Sequence, residues 1–310
     1  WGDDADTELV TRLERRPLRD LKAGEILVEV LFVPAHGSFW LSTHPLGIHP
    51  RIDEFMSDGA FVFGNGGVGR VVAVANEPSE VHEGDYVCVL GHAPCSHHDC
   101  YGCRVLHRYT ECDYGEGTIL GHGKGANDGT FAQYAVLPQG AWEICFRKED
   151  APTADQLRPF MFGFLVADVR NALTRHPDAL RMRRLLLIGA GFSAHVAAYI
   201  HTQTCPEARV FAVEPNADRL ESLKSLAPGE IGGIALPEEV ASLLEVRKDP
   251  ADVREALKPT IARIAASMRE HFGGRGCNLL VDCSSGNTAP SWDNAAILSP
   301  TTHCIAFGFG

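Results

Sequence analysis

The sequence lacks any uninterrupted apolar stretch that approaches the roughly 20 residues a membrane-spanning helix requires. It also lacks a surplus of basic residues, because 28 Lys and Arg face 40 Asp and Glu, which gives a formal net charge of −12 at pH 7. A negative net charge opposes binding to nucleic-acid phosphates and to anionic membrane surfaces. We therefore expect neither a nucleic-acid partner nor a membrane partner.

The length of the chain predicts two domains. At 310 residues it exceeds the roughly 250–300 residues at which single cores stop growing. Short β-like runs separated by glycine fill residues 1–150, whereas alternating strand-like and helix-like segments fill residues 151–310. Such alternation is typical of α/β folds with a doubly wound parallel sheet. The chain starts at Trp1 and ends directly after an apolar strand-like run, which is consistent with a longer parent chain.

The predicted elements follow from periodicity and turn residues. The strands are 26–33, 67–75, 85–90, 131–137, 185–188, 209–213, 278–282 and 304–309, and the helices are 156–175, 194–203, 217–226 and a segment within 251–271. Residues 235–259 are acidic and helix-prone, and we expect them to form a surface insertion.

Four of the ten cysteines lie within 18 residues, which indicates a metal site in a reducing compartment. Cys100 and Cys103 form a Cys-x2-Cys pair, and Cys112 follows after eight residues. Zinc in structural sites takes four such ligands tetrahedrally. The fourth ligand is open between Cys95, which offers another soft thiolate, and His97, which continues the two-residue spacing. We predict one structural zinc in a lobe spanning about residues 91–113, and a cytoplasmic protein.

An apolar run, Leu185 to Ile188, leads into Gly-x-Gly-x-x-Ala and a predicted helix. In this context the first glycine permits a tight turn, the second lets the backbone approach a pyrophosphate, and the small Ala194 allows close helix packing. Glu214 ends the next strand, where a carboxylate accepts hydrogen bonds from ribose hydroxyls and disfavours the 2′-phosphate of NADP, although Arg219 nearby could accommodate it. The pattern thus predicts NAD(H) in preference to NADP(H). The candidate nucleotide-binding residues are Gly189, Gly191, Phe192, Ser193, Ala194, Glu214 and Arg219.

These features, in this order, resemble the medium-chain dehydrogenase/reductase family, which comprises the zinc-type alcohol dehydrogenases and their reductase relatives. Lys22 to Val28 is similar to the family's opening strand, residues 64–85 to its glycine-rich strand and Gly-Asp turn, and Gly129 to Tyr134 to the segment before the nucleotide fold. The resemblance covers nearly the whole chain. It implies a GroES-like catalytic domain over 1–150, a Rossmann domain over 151–310, a small-molecule substrate and a homo-oligomer.

The sequence departs from the family's pattern at the residues that bind the catalytic zinc. His36 stands where a ligand cysteine is typical, Asn65-Gly66 where His-Glu is typical, and Gly163 at the third ligand position. A catalytic zinc needs three protein ligands and an open position. Asp168, about one helical turn after Gly163, is a possible substitute. We expect that the protein works without a catalytic zinc.

Ser38 stands at the family's proton-relay position, two residues after His36. We predict that His36 is the acid, Ser38 the relay and Asn65 an amide donor to the developing oxyanion. The implied activity is hydride transfer to or from a carbonyl, an alcohol or an activated double bond. Two alternatives remain at this point: a zinc-dependent alcohol dehydrogenase with atypical ligands, and a catalytically silent nucleotide-binding relative.

Overall fold

The computed structural model divides the chain into two compact units, Trp1–Phe164 and Leu165–Gly310. It describes residues 13–35, 62–75, 80–95, 97–105, 112–114, 118–121, 128–175, 178–237, 250–284 and 298–306. The boundary between the predicted catalytic domain (1–150) and the predicted Rossmann domain (151–310) stays a prediction. The α/β fold class, with a β-rich first part and a parallel sheet in the second, is confirmed.

Five antiparallel strands form the main sheet of the first unit, in the order β6-β1-β2-β3-β7. They are β1 (Ile26–Phe32), β2 (Gly67–Val74), β3 (Tyr86–Val89), β6 (Tyr134–Leu137) and β7 (Trp142–Phe146). Alternate residues such as Ile26 and Val28 point into a core that also contains Val87, Val89 and Leu137. Alternate residues of β1 therefore face this core, which is the alternation of apolar residues that predicts a strand.

A small two-stranded ribbon and a short helix follow β3 in the chain. The ribbon pairs β4 (His92–Ala93) with β5 (Thr118–Ile119), and the short helix α1 (Tyr101–Arg104) lies between them in sequence. These two strands, with β7, are absent from the sequence prediction because each is too short or too mixed in polarity to show a clear period.

The predicted helix over 156–175 is wrong in its first half. The structure has a short helix α2 (Ala154–Leu157), a 3-10 segment (Arg158–Phe162) and then α3 (Gly163–Thr174). Proline at position 159 carries no N–H group, which favours a break in the regular α-helical ladder. Thr153 caps α2 through a reciprocal capping box with Gln156.

The second unit contains a parallel sheet in the order β10-β9-β8-β11-β12. Its strands are β8 (Arg184–Ile188), β9 (Arg209–Glu214), β10 (Ile231–Ala235), β11 (Cys277–Asp282) and β12 (Leu298–Ala306). Its other helices are α4 (Phe192–Thr204), α5 (Ala217–Lys224) and α6 (Pro250–His271). The strand order reverses between β8 and β11, which in open α/β sheets is the position of the ligand crevice.

Both faces of this sheet are covered, as a parallel sheet requires. Leu185 and Leu187 pack in one core cluster with residues of α3, α4 and α5, whereas Leu186 and Ile188 pack in a second cluster with residues of α6. The surface insertion predicted over 235–259 is only partly compatible with this arrangement, because residues 250–259 belong to α6; residues 238–249 lie outside the described part. The last strand is also longer on its N-terminal side than the predicted 304–309.

Candidate functional site

Four cysteine side chains converge beside α1. The Sγ atoms of Cys95, Cys100, Cys103 and Cys112 all lie within 4.8 Å of one another, and those of Cys100 and Cys112 are 3.8 Å apart. The first three cysteines are buried and Cys112 is half-buried. The predicted alternative ligand, His97, stands outside this group; its ring stacks on Tyr114 with 3.8 Å between the ring centroids.

Hydrogen bonds from neighbouring residues hold the cysteine loop in shape. Asp113 accepts from the backbone N–H groups of Tyr101 (2.6 Å) and Gly102 (3.3 Å), which caps the first turn of α1. The Arg104 guanidinium donates to the carbonyls of Cys95 (2.6 Å) and His97 (3.3 Å). These bonds fix the backbone on both sides of the cysteine cluster.

The cluster fits a zinc ion. Zinc–sulfur bonds of about 2.3 Å in a tetrahedron imply sulfur–sulfur distances of about 3.8 Å, and the separation of Cys100 and Cys112 equals that value. Burial raises the pKa of the Cys95 thiol to about 12, which favours its protonated form in the absence of a metal. A bound dication reverses that preference and stabilises the thiolate. The backbone N–H of Cys103 also donates to the sulfur of Cys100 at 3.4 Å, which adds an outer contact to that ligand.

The Gly-x-Gly-x-x-Ala turn lies between β8 and α4. Gly189 has φ of +92°, a conformation that favours glycine, and its N–H donates to the carbonyl of Val213 at 2.7 Å. A Cβ at Gly191 would have no atom within 4 Å, so the backbone there faces open space. The N-cap of α4 is Gly191, which has no side chain that could cap the helix, and the N-terminus of a helix after such a turn favours an anion. Ala194 is fully buried in the core, which is the close helix packing that the motif predicts.

The carboxylate of Glu214 lies at the end of β9 and is 5% exposed. One oxygen accepts from the backbone N–H of Ala190 at 2.5 Å and the other from that of Asn216 at 3.0 Å. Arg219 is exposed in the first turn of α5, and its backbone N–H donates to the Asn216 side chain at 3.1 Å. Phe192, at the start of α4, is also exposed. The structure thus places Glu214 at the glycine turn, as the sequence predicts. Its carboxylate accepts hydrogen bonds from backbone amides there, in addition to the predicted role with ribose hydroxyls.

Sequence reasoning missed two polar residues at the end of β11. Asp282 is buried, and its Oδ1 accepts from the N–H (2.9 Å) and hydroxyl (2.5 Å) of Ser284. The intervening Cys283 donates its N–H to the carbonyl of Ile188 at 2.8 Å. These residues therefore stand beside the glycine turn at the strand-order reversal. The available signal was a run of polar residues directly after an apolar strand.

The third family position for a catalytic zinc ligand, Gly163, lies in tightly packed backbone, and so does Gly66, which stands where the glutamate of the family's His-Glu pair is typical. A Cβ at Gly66 would stand 2.1 Å from Cε1 of Phe164, and a Cβ at Gly163 would stand 2.6 Å from Sγ of Cys88. The Cys88 thiol donates to the carbonyl of Phe160 at 3.1 Å, which fixes it there. At neither position is there room for a ligand side chain without a shift of these neighbours.

Of the remaining catalytic candidates, the structure describes Asn65 and Asp168. His36 and Ser38 lie outside the described residues. Asn65 is half-buried in the turn before β2, and its carbonyl lies 2.2 Å from where a Cβ at Gly91 would stand. Asp168, the possible substitute ligand, is exposed on α3.

The protein is similar to known dehydrogenases. The family model of the alcohol dehydrogenase GroES-like domain matches residues 22–148. Alcohol dehydrogenase TADH from Thermus sp. ATN1 is 21% identical, with a TM-score of 0.68 over 96% of this chain and 74% of that one. No curated protein sequence matches.

Two further solved structures contain a nucleotide. An alcohol dehydrogenase (rspB) from E. coli CFT073, complexed with NADH, is 18% identical with a TM-score of 0.63 over 95% of this chain and 72% of that one. A protein from Sinorhizobium meliloti 1021 bound to NADP is 12% identical with a TM-score of 0.69 over 98% of this chain and 75% of that one. The family model confirms the GroES-like part of the resemblance, and the solved structures confirm the fold that the resemblance implies. In the described part of the chain, no helix is both long and apolar enough to cross a membrane.

Proposed function

We propose that this chain, which carries the alcohol dehydrogenase GroES-like domain and has the fold of the medium-chain dehydrogenases/reductases, is a nicotinamide-dependent oxidoreductase that works without a catalytic zinc. The observation that carries the nucleotide assignment is the turn from Gly189 to Gly191. It has an open backbone at Gly191, leads directly into the N-terminus of α4 and lies beside the strand-order reversal.

The packing at Gly163, the third ligand position, and at the neighbouring Gly66 of the Asn65-Gly66 pair supports a zinc-independent site. Glutamate at 66 would require the Phe164 ring to leave its place, and cysteine at 163 would require the Cys88 thiol to do so. Glycine offers no ligand atom, and Asn65 is a weak ligand for a borderline-soft ion. A zinc-dependent enzyme with atypical ligands would need a third ligand from a residue other than Gly163.

Without a metal, protein groups must handle the charge on the substrate oxygen. The nicotinamide supplies or removes a hydride at the substrate carbon. In the reductive direction the electron pair displaced from the double bond leaves an alkoxide or enolate, which Asn65 stabilises as an amide donor. His36 supplies a proton through Ser38, which completes the alcohol or saturated product. The substrate class is a carbonyl, an alcohol or an activated carbon–carbon double bond.

The four cysteines are proposed to hold one structural zinc, with Cys95 as the fourth ligand in place of His97. A site closed by four protein ligands has no open position for substrate. Its zinc therefore stabilises the loop around α1 and takes no part in the chemistry. Cytoplasmic location and a homo-oligomeric state remain predictions.

Consumption of NADH is the test of this function. Reduced nicotinamide is followed by absorbance while aldehydes, ketones and α,β-unsaturated carbonyl compounds are supplied in turn, and transfer of deuterium from C4-deuterated NADH identifies the reduced carbon. Tight nucleotide binding with no transfer to any of these compounds would favour a catalytically silent nucleotide-binding relative. Failure to bind either dinucleotide would contradict the proposal.

We predict that the protein binds NADH more tightly than NADPH. The negative charge of Glu214 at the end of β9 repels a 2′-phosphate, and this effect outweighs the exposed Arg219 on α5. Fluorescence titration of the two reduced cofactors gives both dissociation constants. If NADPH binds more than about tenfold more tightly, which is about 1.4 kcal/mol in its favour, Arg219 is the determinant instead.

A further inference from the structure

Glu214 ends β9 beside the glycine turn. The two strands β8 and β9 are paired in register, with Ile188 opposite Val213, so Glu214 is next to the point where β8 passes into Gly189. Its side chain is almost completely withdrawn from solvent. A buried carboxylate is costly unless hydrogen bonds satisfy it, so its partners indicate what it does.

Those partners belong to two different turns. Ala190 lies between the two glycines of the nucleotide motif and is itself buried, and its N–H meets one oxygen of Glu214 at 2.5 Å. Asn216 is the N-cap of α5, and its N–H meets the other oxygen at 3.0 Å. One carboxylate therefore ties the glycine turn to the turn that starts α5.

Other contacts also hold the two glycines of the turn: the Gly189 N–H donates to the Val213 carbonyl at 2.7 Å, and the Gly191 carbonyl lies 3.0 Å from a ring nitrogen of His195. Glu214 provides the acceptor for the central N–H of the turn, that of Ala190. Glycine explores more backbone conformations than any other residue, and Gly191 has open space around its Cα. Gly191 is also the N-cap of the helix that follows, and it has no side chain that could cap that helix. Ordering a flexible loop when the ligand binds costs free energy and weakens binding. A loop that is already held in its bound conformation avoids this cost.

We propose that Glu214 is a positioning residue that preorganises the Gly189–Gly191 turn for the pyrophosphate, whichever dinucleotide binds. The inference rests on the nucleotide binding proposed above and adds a second role to this carboxylate. The two roles predict opposite signs for NADPH. Loss of a purely discriminating charge removes repulsion and strengthens NADPH binding, whereas loss of a positioning clamp weakens it.

The test is the near-isosteric variant Glu214→Gln, which can satisfy only one of the two N–H groups as an acceptor. Dissociation constants for NADH and NADPH are measured by fluorescence titration, well below the unfolding temperature of each variant. We expect both to rise by about tenfold or more. The matched control is Asp218→Asn, which removes an exposed carboxylate in the first turn of α5 and should leave both constants within about twofold. Unchanged or tighter NADPH binding by Glu214→Gln overturns the inference.

Amide hydrogen exchange of the unmodified protein provides a second measurement that does not depend on a folded variant. The Ala190 N–H should be protected in the absence of nucleotide, and Glu214→Gln, where it folds, should lose that protection while the strand amides of β8 keep theirs. Rapid exchange at Ala190 in the unmodified protein contradicts the clamp. If the unmodified protein binds neither NADH nor NADPH, the proposed function fails; if it binds them and only the variant results disagree, the positioning role alone fails.

Discussion

Serine in place of Cys103 is expected to abolish zinc binding and to lower the free energy of unfolding by about 4 kcal/mol or more. Cys103 is buried, with its sulfur among the other three. Because the unfolded chain has no preformed site, the free energy of zinc binding contributes directly to folding. Urea denaturation and metal analysis of the same samples measure both effects.

The control for this substitution is Cys205→Ser. Cys205 is a half-buried cysteine at the C-cap of α4, outside the cluster, and its replacement should leave both zinc content and stability nearly unchanged. Exchange of His97 for alanine should also leave the zinc in place, because its ring stacks on Tyr114 outside the sulfur group. Full zinc content in Cys103→Ser, or its loss in His97→Ala, would show that the ligand set is wrong.

Alanine at His36 or at Ser38 is expected to reduce the turnover number by about 10²–10⁴-fold, the usual contribution of general acid catalysis. Without a metal, a proton and hydrogen-bond donors must meet the charge that develops on the substrate oxygen. Stopped-flow measurement of NADH oxidation under single-turnover conditions isolates this step from product release.

Nucleotide affinity is the internal control for these two variants. The glycine turn that is proposed to bind the pyrophosphate belongs to the second unit, so the dissociation constant for NADH should change by less than about twofold. The double variant should be little slower than the slower single one, because an acid and its relay act as one path. A double variant that keeps full turnover would remove both residues from the mechanism.

The sequence predicts the nucleotide turn well because its determinants are local. A buried strand, two glycines and a small residue at fixed spacing dictate the turn at Gly189, the open backbone at Gly191 and the packing of Ala194. The cysteine cluster is predictable for the same reason, since three ligands fall within a short loop. Spacing does not decide between Cys95 and His97, because the outcome depends on how the loop folds: the sulfur of Cys95 lies with those of the other three cysteines, whereas the His97 ring stacks on Tyr114.

The features that the sequence did not predict depend on contacts between distant residues. The residues near Gly66 in the sequence do not predict that the Phe164 ring packs against the Cα of Gly66. The carboxylate of Glu214 has the expected position at the end of a strand, but its two backbone partners depend on how the flanking turns meet it. The strands β4 and β5 have two residues each, too few to show a periodic pattern, and they are recognised only by their pairing with each other.

The number of zinc ions per chain tests the central claim most directly. Purified protein that oxidises NADH in the presence of a carbonyl substrate is analysed by mass spectrometry for metal content, before and after brief exposure to a chelator. We predict one zinc per chain and a rate that the chelator does not change while that zinc remains bound. Two tightly held zinc ions per chain, with rapid inhibition by the chelator that added zinc reverses, would contradict this account.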